Sequence, residues 1–188
     1  IAIMRTMPNM TVLSPANYNE ARLAVKAAYE LKAPVYIRLI RGATPIFTKP
    51  DTPFKIGKAR VLQEGSDVTL IATGITVYEA LQAVEELRIE NQELSVELIN
   101  LHTIKPIDKE TIIASAKKTG KVITVEDHQI EGGMGSAVAE VLSENYPLPI
   151  KRLGLNNSFG STGDPKSLLA HFGINRDGIK KAIISFTS

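Results

Sequence analysis

VITVEDHQIEGGMGSAVAEVL, residues Val122 to Leu142, decides how the rest of the chain is read. Val122, Ile123 and Val125 form a short, mostly apolar, β-branched run. That composition suits a strand covered on both faces, as in a parallel sheet. Glu126, Asp127 and His128 follow at once, then Gly132, Gly133 and Gly135. Ala137, Val138, Val141 and Leu142 come next at helical spacing. The stretch therefore predicts a strand, an acidic–histidine tip, a glycine turn and a helix. In open α/β sheets the loop after a strand's carboxyl end is where sites tend to sit.

Each residue of that tip has a functional and a plain reading. Glycines before a helix can present backbone N–H groups to a phosphate, or let the helix pack closely on its strand. The spacing is GGxG, which matches neither GxGxxG nor a P-loop and favours packing. His128 titrates near neutrality and can serve as a general base, but a loop histidine is more often a hydrogen-bonded structural residue. Glu126 and Asp127 can hold a metal, yet no further ligand pattern accompanies them.

The same strand–helix alternation extends outward. Val68–Ala72 is a buried-type strand, Thr73 and Gly74 make a turn, and Val77, Ala80, Leu81, Val84 and Leu87 line one helix face. Val96–Leu101 is the next strand, and His102–Pro106 a loop. Asp108 caps a helix carrying Ile112, Ile113 and Ala116, which ends at Gly120. Pro149–Leu153 is another strand, Asn156–Asp164 a Gly/Ser/Asn loop, and Asp164 or Pro165 starts a short helix through Leu169. Asn175 caps a last helix with Ile179, Ala182 and Ile183. Such spacing indicates βαβ units and a mostly parallel sheet flanked by helices, an α/β three-layer sandwich. His102 lies level with His128 at a neighbouring strand tip, so the two can converge on a ligand or simply cap the sheet. His171, near a helix end, is given no function.

Toward the start, Met10–Leu13 is a short strand candidate and Ser14–Pro15 reads as an N-cap with proline at the first helical position. The helix runs to about Lys32, and Val35–Ile40 is a strand carrying Arg38. Arg41 and Gly42 stand at its carboxyl end. An arginine there can grip a phosphate through parallel hydrogen bonds or form a surface ion pair. Residues 46–66, crowded with Pro50, Pro53, Lys and Thr, read as a linker in which Ile56–Leu62 holds one short strand. Residues 1–45 are too few to bury a core alone.

The chain has 188 residues, 44% of them hydrophobic, and a formal net charge of +2. Acids and bases are interspersed, so nothing electrostatic favours nucleic acid. No apolar run is long enough to span a bilayer. The sequence contains no cysteine, which excludes disulfides, thiol catalysis and zinc–thiolate sites. The opening, IAIMRTMPNM, reads as the middle of a longer sequence.

IAIMRTMPNMTVLSPAN followed by PVYIRLIRG resembles the end of the pyrimidine-binding domain of the transketolase family. ATGITVYEAL, INLHTIKPID, TVEDHQIEGGMGSAVAEVL and FGSTGDPKSLLAHFGI resemble that family's C-terminal domain in the same order. The likeness is strongest to split transketolases, whose C-terminal half is a separate subunit. It divides the chain into residues 1–45 (end of the pyrimidine-binding domain), 46–66 (linker) and 67–188 (transketolase C-terminal domain).

The resemblance implies transfer of a two-carbon ketol unit between sugar phosphates, with thiamine diphosphate and magnesium in the complete enzyme. It also implies a cytoplasmic protein of pentose phosphate metabolism that works as a dimer with an N-terminal subunit or domain. The family's GDG metal–diphosphate motif and its activating glutamate have no counterpart in this sequence. The stretch alone is thus expected to be inactive, to carry no catalytic residue and no cofactor or metal ligand, and to serve in dimer assembly. Arg41 matches the family's substrate-phosphate arginine, while His128 and His102 carry over no role. The 1-deoxyxylulose-5-phosphate synthases and the β-subunits of 2-oxo-acid dehydrogenases share the architecture. HTIKPID and the SPAN block favour transketolase. A non-catalytic dimerisation or regulatory module is the reading from another class.

Overall fold

The computed structural model describes residues 1–90 and 94–188. In chain order the elements are α1 (Ala2–Thr6), β1 (Thr11–Leu13), α2 (Tyr18–Leu31), β2 (Val35–Ile37), β3 (Arg60–Gln63), β4 (Val68–Ala72), α3 (Thr76–Glu90) and β5 (Val96–Asn100). They continue as β6 (Thr103–Lys105), α4 (Lys109–Thr119), β7 (Val122–Gln129), α5 (Met134–Asn145), β8 (Ile150–Leu155), α6 (Pro165–His171) and α7 (Arg176–Thr187).

A five-stranded sheet has the order β3-β5-β4-β7-β8. Its inner pairs β4–β5, β4–β7 and β7–β8 are parallel, and only β3 runs antiparallel, at the edge. β4 shows how a mostly apolar strand is covered on both faces. Val68, Leu70 and Ala72 enter a core with Val77, Val84 and Leu87 of α3 and Ile179 and Ile183 of α7. Ile71 points the other way, into a second core with Ile112 of α4 and Val138 and Leu142 of α5. Period-two alternation thus feeds two apolar layers, and both faces of the sheet are covered. This is the three-layer, mostly parallel α/β sandwich expected.

A second, three-stranded sheet has the order β2-β1-β6. β1 pairs parallel with β2 and antiparallel with β6, Val12 opposite Lys105 and Leu13 opposite Thr103. Here three expectations are corrected. The His102–Pro106 segment is not only a loop, because its three-residue strand takes a partner about ninety residues upstream, beyond the reach of local periodicity. Ser14 does not cap α2, since its N–H continues the ladder to the His102 carbonyl at 2.8 Å. Asn17 is the cap instead: its Oδ1 accepts the Glu20 N–H, and the Glu20 carboxylate reaches back to the Ala16 N–H at 2.9 Å. The strand expected over Val35–Ile40 stops at Ile37. Ala2–Thr6 is a short helix whose Arg5 donates to the Gly132 and Gly133 carbonyls. Within residues 46–66, the short strand expected forms as β3 over Arg60–Gln63.

Candidate functional site

The connection from β4 through α3 leads to β5 on one side, and α4 then crosses back to β7 on the other. The direction reverses at β4. The crevice over the carboxyl ends of such strands is where α/β sheets take ligands. In this molecule the protein's own groups occupy part of that crevice. Gly74, after β4, has φ +60°, and its N–H lies 3.3 Å from the Ser14 carbonyl. A Cβ on Gly74 would come within 2.9 Å of Ser14 Oγ and 3.7 Å of Asp127 Oδ1. Arg38, just past β2, donates to Asp127 Oδ1 at 2.7 Å and to the Asp127 carbonyl at 2.9 Å. Burial pushes the Asp127 carboxyl up, against the pull of the Arg38 guanidinium.

Beside it, Glu126 is buried against the first turn of α5. Its carboxylate accepts the Met134 N–H at 2.7 Å and the Gly135 N–H at 2.8 Å. A Cβ at Gly133 would lie 2.3 Å from Glu126 Oε2. The glycine turn therefore serves close approach: it lets the helix start settle on the protein's own carboxylate. Burial raises the Glu126 carboxyl to about 7, while the two amides favour its ionised form. A phosphate has no place at this helix start, because Glu126 already holds it.

The two histidines do not meet over one cavity. His128 is half-buried, with Nδ1 2.8 Å from the Gln129 carbonyl, and burial lowers its pKa. His102 is buried, stacked on Phe54 with ring centroids 4.2 Å apart, and has Nδ1 3.0 Å from Thr103 Oγ1. Burial, helped by Arg60, drives it down to about 4, so it is neutral at physiological pH. His171 packs edge-on against Phe172 and joins no site.

Arg41 stands differently. It is exposed, in the segment that leaves the sheet after Arg38. With Gly42 it lines a cavity of about 340 Å³ whose walls also include Ile75, Asp127, Leu168 and Phe172. A Cβ on Gly42 would meet nothing within 4 Å. The Arg41 guanidinium has the donors to bind an anion. These residues do not fit a diphosphate and its metal. Among the described residues no group of three His, Cys, Asp or Glu side chains can hold a metal ion, and the α5 start is taken. Sequence reading missed the roles of Arg38 and Glu126, whose partners are 89 and 8–9 residues away with no periodic pattern to announce them.

Residues 57–179 match the family described as "Transketolase, C-terminal domain". The 6-deoxy-6-sulfo-D-fructose transketolase subunit SqwH of Clostridium sp. strain MSTE9 is 43% identical over 97% of this chain and 56% of its own length. A 1-deoxy-D-xylulose-5-phosphate synthase of Desulfitobacterium hafniense (strain DSM 10664 / DCB-2) is 39% identical over 97% of this chain and 29% of its own. A solved structure described as "Split gene transketolase, inactive beta4 tetramer" superposes with a TM-score of 0.94 at 42% identity, covering 99% of this chain and 60% of that one. Fold and family match define a C-terminal α/β domain of a larger enzyme family. The chain belongs to the transketolase family through its C-terminal domain, and it spans little more than half the length of its split-subunit relatives.

Proposed function

We propose that this chain is the C-terminal part of a cytoplasmic transketolase that moves a two-carbon ketol unit between sugar phosphates. Residues 1–45 are the end of the pyrimidine-binding domain, 46–66 connect it, and 67–188 are the C-terminal domain. Thiamine diphosphate and magnesium supply the carbanion chemistry in the complete enzyme and are held outside this stretch. An N-terminal subunit or domain completes the site, and the chain self-associates. The description of its split-gene relative as an inactive β4 tetramer supports both the self-association and the inactivity of this part alone.

The observation that carries the reading is Arg41: an exposed side chain four residues past β2, lining a cavity, in the position matching the family's substrate-phosphate arginine. Its two parallel N–H groups suit a phosphate, and equally the sulfonate of the sugar for which SqwH is named. Arg41→Ala in the intact enzyme should cost roughly 1.5–3 kcal/mol in kcat/KM for an anionic donor, mainly through KM. A donor lacking the terminal anion should be affected little. Equal losses for both donors would remove the assignment.

A second reading is supported by the synthase relative. Xylulose phosphate plus ribose phosphate, assayed against pyruvate plus glyceraldehyde phosphate, separates the two. Turnover of the second pair alone would replace transketolase with the synthase.

A further inference from the structure

Arg41 lies in a segment with few attachments. Arg38 is the last residue tied to the sheet: its N–H donates to the Leu13 carbonyl at 2.8 Å, and its guanidinium grips Asp127 through side chain and backbone. The next hydrogen-bonded anchor among the described residues is Thr48. Its Oγ1 donates to Asn17 Oδ1 at 3.0 Å, and its carbonyl accepts from Asn19 Nδ2 at 2.6 Å. Arg41 is three residues from the first anchor, hence within about 11 Å of it even with the chain fully extended. It is seven from the second. Leu39 between them is largely exposed and adds little hold.

Asp127 is free for this duty because of its neighbour. Glu126 takes the α5 amides, which leaves the Asp127 carboxylate to face β2. A planar guanidinium meeting one side-chain oxygen and one backbone oxygen fixes direction as well as distance. Asp127 and Arg41 also line the same cavity.

We infer that Asp127 and Arg38 are positioning residues that hold the Arg41 segment so that its guanidinium meets the donor's terminal anion. This rests on the reading of Arg41 as the anion-binding residue. The pair touches no reacting atom, so its effect should appear as selectivity for anionic donors.

The test uses the intact enzyme with its partner subunit or domain, and compares xylulose phosphate with the matching unphosphorylated ketose. Asp127→Asn keeps the shape and removes the charge that holds Arg38. It should raise KM for the phosphorylated donor roughly 5- to 20-fold, the range of coupling seen between contacting residues. The kcat for either donor and the KM for the neutral donor should stay within about twofold, since binding alone is altered. Arg38→Lys, which keeps charge without the fork, should fall between wild type and Asp127→Asn. In an Arg41→Ala background, Asp127→Asn should add nothing to the loss on the phosphorylated donor.

Equal loss on both donors by Asp127→Asn, or full additivity with Arg41→Ala, would overturn the positioning role while leaving Arg41 assigned. Arg41→Ala that fails to discriminate between the donors would overturn the Arg41 reading, and this inference with it. If Asp127→Asn does not fold, Arg38→Lys carries the same comparison.

Discussion

The tips of β7 and β2 meet across one ion pair, and they spend their charges differently. At the β7 tip, Glu126 caps α5, Asp127 holds Arg38, and His128 contacts a backbone carbonyl. Everything conspicuous there is used by the protein on itself. At the β2 tip Arg38 is likewise spent, but Arg41 stands exposed beside a cavity. A motif dense in acids, histidine and glycine therefore marks construction, and the proposed binding residue is a single arginine on a plain segment. Buried polar groups must find partners within the fold, whereas a binding group must be left available to a ligand.

The contrast breaks first at Gly133. Gly133→Ala puts a methyl 2.3 Å from Glu126 Oε2 and forces the carboxylate off the helix start. A loss of about 3–5 kcal/mol is expected, the scale for breaking a buried charged contact. Denaturant titration measures it, and a loss below about 1 kcal/mol would mean that the turn is not built around Glu126.

His102 tests whether the second histidine is as structural as its burial states. Its folded pKa of about 4 lies below the ordinary value of 6.5. Between those values the unfolded chain binds a proton that the folded chain does not. The contribution is complete above pH 6.5 and is lost as pH falls toward 4. Relative to His102→Phe, the wild type should lose up to about 3 kcal/mol over that window. Thermal melts of both proteins at pH 7 and pH 4.5 decide the matter, and parallel pH dependence would show His102 to be solvated.

Arg41 supplies the smallest effect on the fold. Arg41→Ala should change stability by no more than about 0.5 kcal/mol, as for an exposed side chain away from the core. Combined with a selective loss on anionic donors, that result sharpens the contrast with Gly133. A marked drop in melting temperature would make Arg41 one more structural residue.

Much of the fold was legible in the sequence. Runs such as Val68–Ala72 and Val96–Asn100 bury every residue, and their apolar composition announces strands covered on both faces. Asp108, Gly120, Asp164 and Asn175 sit at the helix ends where capping chemistry places them. Local rules suffice for these because the interactions span a few residues. They failed at Ser14, where a ladder bond to His102 competes with the cap, and at Thr103–Lys105, whose strand exists only through β1.

Arg41 stands apart from these: residue type and position leave phosphate binding and a surface ion pair both open, and only the resemblance to the transketolase family favours phosphate. The partners of Glu126, Asp127 and Arg38 were decided only by the tertiary structure. Each of those side chains can cap, pair or bind a ligand, and its own sequence neighbourhood is compatible with all three. Which one it does depends on what the packed elements bring within about 3 Å, the reach of a hydrogen bond. Chain order determines the layers of this protein. The meeting of strand tips far apart in sequence decides which of its charges are left for anything else.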